Sequence, residues 1–383
     1  MATVISVAEV DPKEPSLSSL FTPLTLRSLT IPNRVWMAPM CMYSAAGEGP
    51  DTGAPTDFHL THLASRAAGG AGLVMAEATG VRADGRISPW DLGLWNDRQQ
   101  EAFARVTAAI RSHGAVPAIQ LAHAGRKAAT DRPWLGGRGL TEAEGGWEPV
   151  APSAWAFEGL PTPHELTVAE IDELVADFAA SAERALAAGF QIVEVHGAHG
   201  YLLNSFLSPA GNRRTDSYGG DLAGRMRFPL RVVEAVRAVW PEELPVFFRV
   251  SATDWIEENP EDTRTGWSGD DTVLLAKELQ ARGVDLLDVS TGGMVHDARI
   301  PAGPDYQVPF ATRVRQETGL PSSAVGLITE PRQAEEIVAS GAADATMLGR
   351  ELLRDPYWAH RAAHELDVRQ EWPVQYGYAA ARR

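Results

Sequence analysis

The sequence predicts an α/β fold, a closed (β/α)8 or TIM barrel, on three observations. Eight short apolar runs recur along the chain without polar alternation, as expected of parallel strands covered on both faces. Helical patterns separate most of them, because parallel neighbours need crossover connections. The length of 383 residues suits one barrel, which runs from roughly 200 to 400 residues, and no Ser- or Gly-rich linker divides it. The expected organisation is a flexible arm over residues 1–17 and one barrel domain over 18–383, with no clear internal repeat.

In chain order the runs are 35–38 (VWMA), 72–76 (GLVMA), 116–121 (VPAIQL), 192–195 (IVEV), 246–250 (VFFRV), 286–289 (LLDV), 324–327 (AVGL) and 345–348 (ATML). After the second run, Phe103, Val106 and Ile110 keep one helix face inward until Gly114 stops it. After the third, Thr167 and Glu170 read as a capping box ahead of Ile171, Leu174, Val175 and Phe178, with Gly189 as the stop. After the seventh, Thr329 and Pro331 start a helix that ends at Gly341. Two intervals break the rhythm. Residues 121–192 carry Trp134, Gly136, Gly137, Trp147, Pro152 and Trp155, the composition of a lid or binding segment capping the active site. Residues 255–267, after the fifth strand, are expected on the same face.

Composition narrows the function. Fifty acidic against 34 basic side chains, a net charge of -16, would repel nucleic acid and anionic membranes over most of the surface. No run approaches the roughly 18 apolar residues of a membrane span. Residues 1–20 lack a basic start and are broken by Glu9, Asp11, Glu14 and Pro15, unlike a secretory signal. The single cysteine, Cys41, cannot make an internal disulfide, a four-cysteine zinc site or a cysteine-ligated iron–sulfur cluster. A cytoplasmic protein without nucleic-acid or membrane partners is expected.

Barrel enzymes build their sites at the C-terminal ends of the strands. The first strand leads into Pro39, Met40, Cys41, Met42 and Tyr43, the second into Glu77 and Ala78, and the third carries Gln120 ahead of His123, Gly125 and Arg126. The fourth leads into His196, Gly197, Ala198, His199, Gly200 and Tyr201; Arg249, Ser290, Gly326 and then Gly349 with Arg350 finish the remaining four. Gly349 and Arg350, between a strand and a helical run, can hold a phosphate with backbone N–H groups and a guanidinium, and Gly326 would let backbone approach closely. His196 and His199 can face one object if a helical turn begins there. A zinc ion would want a third ligand, and only Glu77 stands at another strand end; two donors on a carbonyl oxygen, with Tyr201 as proton donor, are the better chemical reading.

Other candidates take plainer readings. His59, His62 and Arg66 fit a solvated or hydrogen-bonded helix face, and His296 and His360 fit the surface. Cys41 alone reads as a buried structural cysteine. The glycines at 136, 137, 139 and at 219, 220, 224 neither follow a strand nor match the dinucleotide fingerprint, so no Rossmann domain is expected.

With those residues placed, the chain resembles the old yellow enzyme family of FMN-dependent ene-reductases over residues 20–376, in the cysteine-containing, thermophilic-like subclass. The resemblance rests on LFTP at 20–23, Asn33 and Arg34, APMCMY at 38–43, DLGLW at 91–95, QLAHAGRKA at 120–128, HGAHGY at 196–201, FLSP at 206–209, YGG at 218–220, FRVS at 248–251 and GRELLRDP at 349–356. It implies tightly but non-covalently bound FMN, with Ala38, Pro39, Met40, Cys41, Ala78, Gln120 and Arg249 around the isoalloxazine and Gly326, Gly349 and Arg350 on the phosphate. It implies reduction by NADPH or NADH, and hydride transfer from flavin to the Cβ of an α,β-unsaturated carbonyl compound. His196 and His199 would hold the carbonyl, Tyr201 would protonate Cα, and Tyr43 would line the pocket. A homodimer or higher homo-oligomer is also implied. Relatives of the subclass often place near the C-terminus an arginine that reaches the neighbouring active site, where this chain has Tyr378.

Rival readings are a nitro or nitrate-ester reductase of the same family, an oxidising FMN barrel of the dihydroorotate dehydrogenase type, and a non-redox phosphate-binding or lyase barrel. The His pair with Tyr201 speaks against the second. A lyase or aldolase would need acidic or lysine groups at strand ends, where only Lys127 and Glu77 come near.

Overall fold

The computed structural model describes residues 18–380; the arm expected over 1–17 lies outside the described residues. Eight strands, β1 Val35–Met37, β2 Leu73–Gly80, β3 Val116–Ala122, β4 Ile192–Gly197, β5 Val246–Ser251, β6 Leu286–Ser290, β7 Ser322–Val325 and β8 Ala345–Leu348, close into a barrel in sequence order. Every barrel pairing is parallel, and the seam between β8 and β1 sets Thr346 against Val35 and Leu348 against Met37. The helices are α1 Asp57–Ala68, α2 Asp97–Ser112, α3 Val168–Ala187, α4 Leu202–Leu207, α5 Leu222–Val239, α6 Gly269–Ala281, α7 Val308–Thr318, α8 Pro331–Ala339, α9 Arg350–Arg354 and α10 Trp358–Glu365. At least one follows each strand, which is the (β/α)8 barrel the sequence predicts.

Side chains alternate across each strand, so the pleat sorts the barrel into an inside and an outside. Trp36, Ala38, Leu73, Met75, Val116, Ala118, Ile192, Phe247, Leu286, Ala345 and Met347 form one buried cluster inside, with Trp36 stacked on Phe247 at 5.9 Å. The antiparallel hairpin of Leu24–Leu26 and Leu29–Ile31 inserts Leu26 and Ile31 into that cluster and plugs the N-terminal end. Each fully buried Leu, Ile, Met or Phe there contributes about 1.5–3 kcal/mol. Residues of opposite parity, such as Val74, Ile119, Val193, Phe248 and Leu287, pack outward with Phe103 of α2, Phe178 of α3, Val233 of α5 and Leu275 of α6. The apolar inside lies toward the strand starts. Toward their ends the same inward parity carries Glu77, Gln120, Glu194, His196, Arg249, Asp288 and Ser290, all buried.

Local signals act as read at the start of α3 and at the glycine stops, and α2 carries a capping box that had not been read. Asn96 and Gln99 form a capping box on α2, and Thr167 and Glu170 form one on α3. Gly114, Gly189 and Gly341 all take positive φ beyond their helices.

Four expectations are corrected. The seventh strand is Ser322–Val325, not 324–327: Ser322 and Ser323 are buried because their hydroxyls donate to Ala311 and Asp288, while positive φ at Gly326 and Leu327 ends the extended run. The α8 N-cap is Glu330, which forms a capping box with Gln333, rather than Thr329. Of the two readings of His59, His62 and Arg66, solvated or hydrogen-bonded, the first is set aside, since all three are buried; the Arg66 guanidinium is satisfied by the Leu352, His62 and Leu353 carbonyls. His360 is buried too, its ring 4.1 Å from Trp372 and its Nε2 bonded to the Ala68 carbonyl oxygen. His296 is at the surface as expected, paired with Glu158.

Candidate active site

The C-terminal mouth of the barrel collects the residues singled out in the sequence. After β4 the chain takes left-handed backbone at His199 (φ 62°) and Gly200 (φ 73°), and Tyr201 then caps α4. That turn replaces the helical turn expected to aim the two histidines. A Cβ at Gly200 would strike the Gly293 carbonyl, so only glycine lets the loop pass. Lys127 pins the turn by donating to the carbonyls of His199, at 2.8 Å, and Gly293. Burial pulls its amine down to about 7.

The imidazole of His196 lies 5.2 Å from that of His199 and 5.2 Å from the ring of Tyr201, both edge-on. The His199 backbone N–H donates to Ser251 Oγ at 2.9 Å, and its Nε2 is bonded to Ser290 Oγ at 2.8 Å. Nδ1 of His196 is buried without a protein partner among the described residues. Burial and the nearby Arg249 guanidinium push both imidazoles well below their ordinary pKa, so both are neutral at physiological pH. Tyr201 is moved the other way by burial and by Cys41, Tyr43 and Asp91, and keeps its proton.

From β2, Glu77 Oε1 accepts the Met42 N–H at 2.9 Å and so holds the loop after β1. Tyr43 takes φ 50° there, and its ring meets the edge of Trp134 at 5.8 Å. Cys41, Tyr43, Tyr201 and Trp147 pack on one small apolar cluster of Ile87, Ala124 and Ala128, which joins the segments that follow β1, β2, β3 and β4. Cys41 is half-buried, and its thiol is pushed up by burial and by the carboxylates of Asp91 and Glu77, which disfavours a thiolate nucleophile.

Around the mouth, Ala38 bonds from its N–H to the Leu348 carbonyl at 3.0 Å, which brings Pro39 and Met40 beside Gly349; a Cβ on Gly349 would stand 3.6 Å from the Met40 sulfur. Ala78 and Gln120 are buried at the ends of β2 and β3. Gly326 has φ 112°, and a Cβ there would run into Gln307 and come within 2.9 Å of Tyr306. Arg350 is exposed at the start of α9, and its guanidinium makes no hydrogen bond or ion pair among the described residues. The Arg249 guanidinium faces Asp288 through Nε at 3.0 Å and makes no other hydrogen bond or ion pair among the described residues. The mouth thus offers an uncommitted guanidinium edge at its floor and a guanidinium at its rim beside glycine backbone.

Glu194, Asp288 and the hydroxyls of Ser251 and Ser290 complete the site. The sequence reading missed the two acids although they stand in register with residues it named, Glu194 beside Gln120 and Asp288 beside Arg249; inward parity with His196 and with Ser290 was the available signal.

The model of the NADH:flavin oxidoreductase / NADH oxidase family matches residues 19–369. The chain belongs to this family. It is 47% identical over 358 residues to an NADPH dehydrogenase of Geobacillus thermodenitrificans, covering 93% of this chain and 97% of that one. An NADPH dehydrogenase of Listeria monocytogenes is 48% identical over 364 residues, 95% of this chain and 99% of the relative. Morphinone reductase superposes with a TM-score of 0.75 at 30% identity, covering 94% of each chain. The old yellow enzyme homologue from Zymomonas mobilis gives 0.73 at 27% identity, over 92% of this chain and 97% of that one. The old yellow enzyme resemblance is thereby borne out, and the protein is an FMN-dependent NAD(P)H oxidoreductase. The guanidinium groups of Arg249 and Arg350 and the bare backbone at Gly326 and Gly349 fit an anionic, phosphate-bearing flavin.

Proposed function

We propose that the protein reduces the C=C bond of α,β-unsaturated carbonyl compounds, with NADPH as its usual reductant. The observation that carries this reading is the convergence of two neutral imidazoles and a protonated phenol at one wall of the mouth. Bound FMN supplies the hydride that the alkene carbon accepts.

The protein's own groups do the rest. His196 and His199 donate N–H groups to the carbonyl oxygen, His199 by exchanging its Ser290 partner for the substrate, and so stabilise the charge that develops there. Tyr201 holds a proton within the same cluster and delivers it to Cα. Ala38, Pro39, Met40, Cys41, Ala78, Gln120 and Arg249 line the flavin ring, and Gly326, Gly349 and Arg350 hold its phosphate. Tyr43 of the loop after β1 and Trp134 of the segment after β3 wall the pocket in edge contact, and that segment acts as its lid. Cys41 packs against the reacting face and tunes it without serving as a nucleophile.

No helix among the described residues is long and apolar enough to cross a membrane, and a lone unpaired cysteine suits the reducing cytoplasm. A homo-oligomer is part of the same reading.

The test is an anaerobic assay of cyclic enones, maleimides and nitro compounds with NADPH and NADH on protein whose heat-released flavin comigrates with FMN. Turnover of cyclic enones with Cβ deuterium from reduced, labelled nicotinamide is expected. Nitro reduction without enone reduction would sink the proposal.

A further inference from the structure

Two carboxylates lie inside the barrel with no part in the chemistry above. Glu194 on β4 and Asp288 on β6 are fully buried, and β5 with Arg249 runs between them. Asp288 Oδ2 lies 3.0 Å from Arg249 Nε, and Oδ1 accepts from Ser323 Oγ at 3.0 Å. Glu194 Oε1 accepts from the Gln120 side-chain amide at 2.8 Å, while Oε2 is buried without a partner among the described residues. One guanidinium therefore lies against Asp288 and within electrostatic reach of Glu194, both acids being closed to water, where two ionised carboxylates would repel each other strongly. Burial raises both acids, and Asp288 adds to the rise of Glu194. Asp288, in direct contact with Arg249 and with a hydroxyl donor, is the ionised member; Glu194 keeps a proton.

We propose that Glu194 and Asp288 are positioning residues for the flavin edge: Asp288 fixes Arg249 and offsets its charge, and Glu194 turns the Gln120 amide so that its carbonyl is left free. The inference rests on the reading that Arg249 and Gln120 meet FMN. Reduction adds negative charge to the pyrimidine side of a flavin, so an uncompensated guanidinium there favours the reduced form. Asp288 holds that preference in check, whereas Glu194, being neutral, leaves it alone.

The experiment measures, at pH 7, the two-electron midpoint potential of bound FMN and the FMN dissociation constant in Asp288→Asn, Glu194→Gln and Arg249→Gln proteins. Asp288→Asn should favour reduced over oxidised FMN about tenfold, a rise of about 30 mV, with FMN still bound. Glu194→Gln should leave the potential where it is. An unmoved potential in Asp288→Asn, or an equal rise in Glu194→Gln, would overturn the assignment. Arg249→Gln should lower the potential; if it binds FMN with the potential unmoved, the flavin placement itself fails, and the proposal with it. Should Asp288→Asn not fold, Ser323→Ala removes only the hydroxyl that favours the Asp288 anion, and must give a smaller rise of the same sign or refute the proposal.

Discussion

His196 and His199 face the mouth as neutral rings, and a neutral donor stabilises an oxyanion without first attracting a proton from solvent. Their value lies in aim rather than charge. Replacing either with Ala should slow enone turnover by about 10² to 10³ and weaken binding of phenolic inhibitors, followed by flavin absorbance; normal turnover in both variants would remove them from the chemistry. Tyr201→Phe should leave FMN reduction by NADPH intact and slow only its reoxidation by an unactivated enone, by about 10² to 10⁴. Stopped-flow separation of the two half-reactions decides this, since an equal loss in both would point to damage rather than a missing acid. These residues were singled out in the sequence because they cluster where the fourth apolar run gives way to His, Gly and Tyr. Glu194 and Asp288 were not, since each sits among apolar neighbours within a strand and only the period-two parity shared with His196 and Ser290 reveals that it points inward.

Helix α1 shows what a polar pattern conceals. Its His59 and His62 read as a solvated or hydrogen-bonded face, and both are buried: His59 Nδ1 accepts the Thr56 N–H at 3.0 Å, its Nε2 lies 3.7 Å from Glu77, and His62 stacks on Phe58. Burial lowers His59 to about 4 and His62, beside Arg66, to about 3. Both pKa values are below the ordinary 6.5, so the unfolded chain takes up protons first as pH falls. The stability these rings contribute is present above about pH 6.5 and is lost between there and about pH 3 to 4, by several kcal/mol in total. Thermal melts across pH 4 to 7 should show this slope, and His62→Gln should flatten it; an unchanged slope would mean that the ring titrates normally. Strand β7 gives the complementary lesson. Its first two residues are serines, invisible to a search for apolar runs because their hydroxyls are satisfied only by groups remote in sequence.

At the scale of the whole molecule, the barrel was readable because covered parallel strands leave apolar runs whatever their loops do. The C-terminal segment was not, since its surroundings are set by packing that periodicity does not encode. Val374 and Tyr378 are 85% and 86% exposed, and Tyr376 is 44% exposed, so three apolar side chains are presented together. If they meet a second copy near its mouth, Tyr378 supplies an aromatic wall suited to bulky enones. Deleting the residues after Tyr376 should then raise KM for large enones and spare small ones, in a protein that sediments as an oligomer. A monomer, or identical kinetics across ring sizes, would separate this segment from the site.

The seam where β8 meets β1 also sets a timetable. Val35 pairs with Thr346, so during synthesis β1 waits for its partner for roughly 15 to 60 s at ~5–20 residues per second. Through that interval β1 and the newest strand are open edges, able to pair with any nascent chain nearby. A chain that ends before β8 therefore presents an open sheet with two adhesive rims and one wall missing. Such fragments belong to the chaperone and protease machinery, and the last strand to be made is the one that renders the product safe to release.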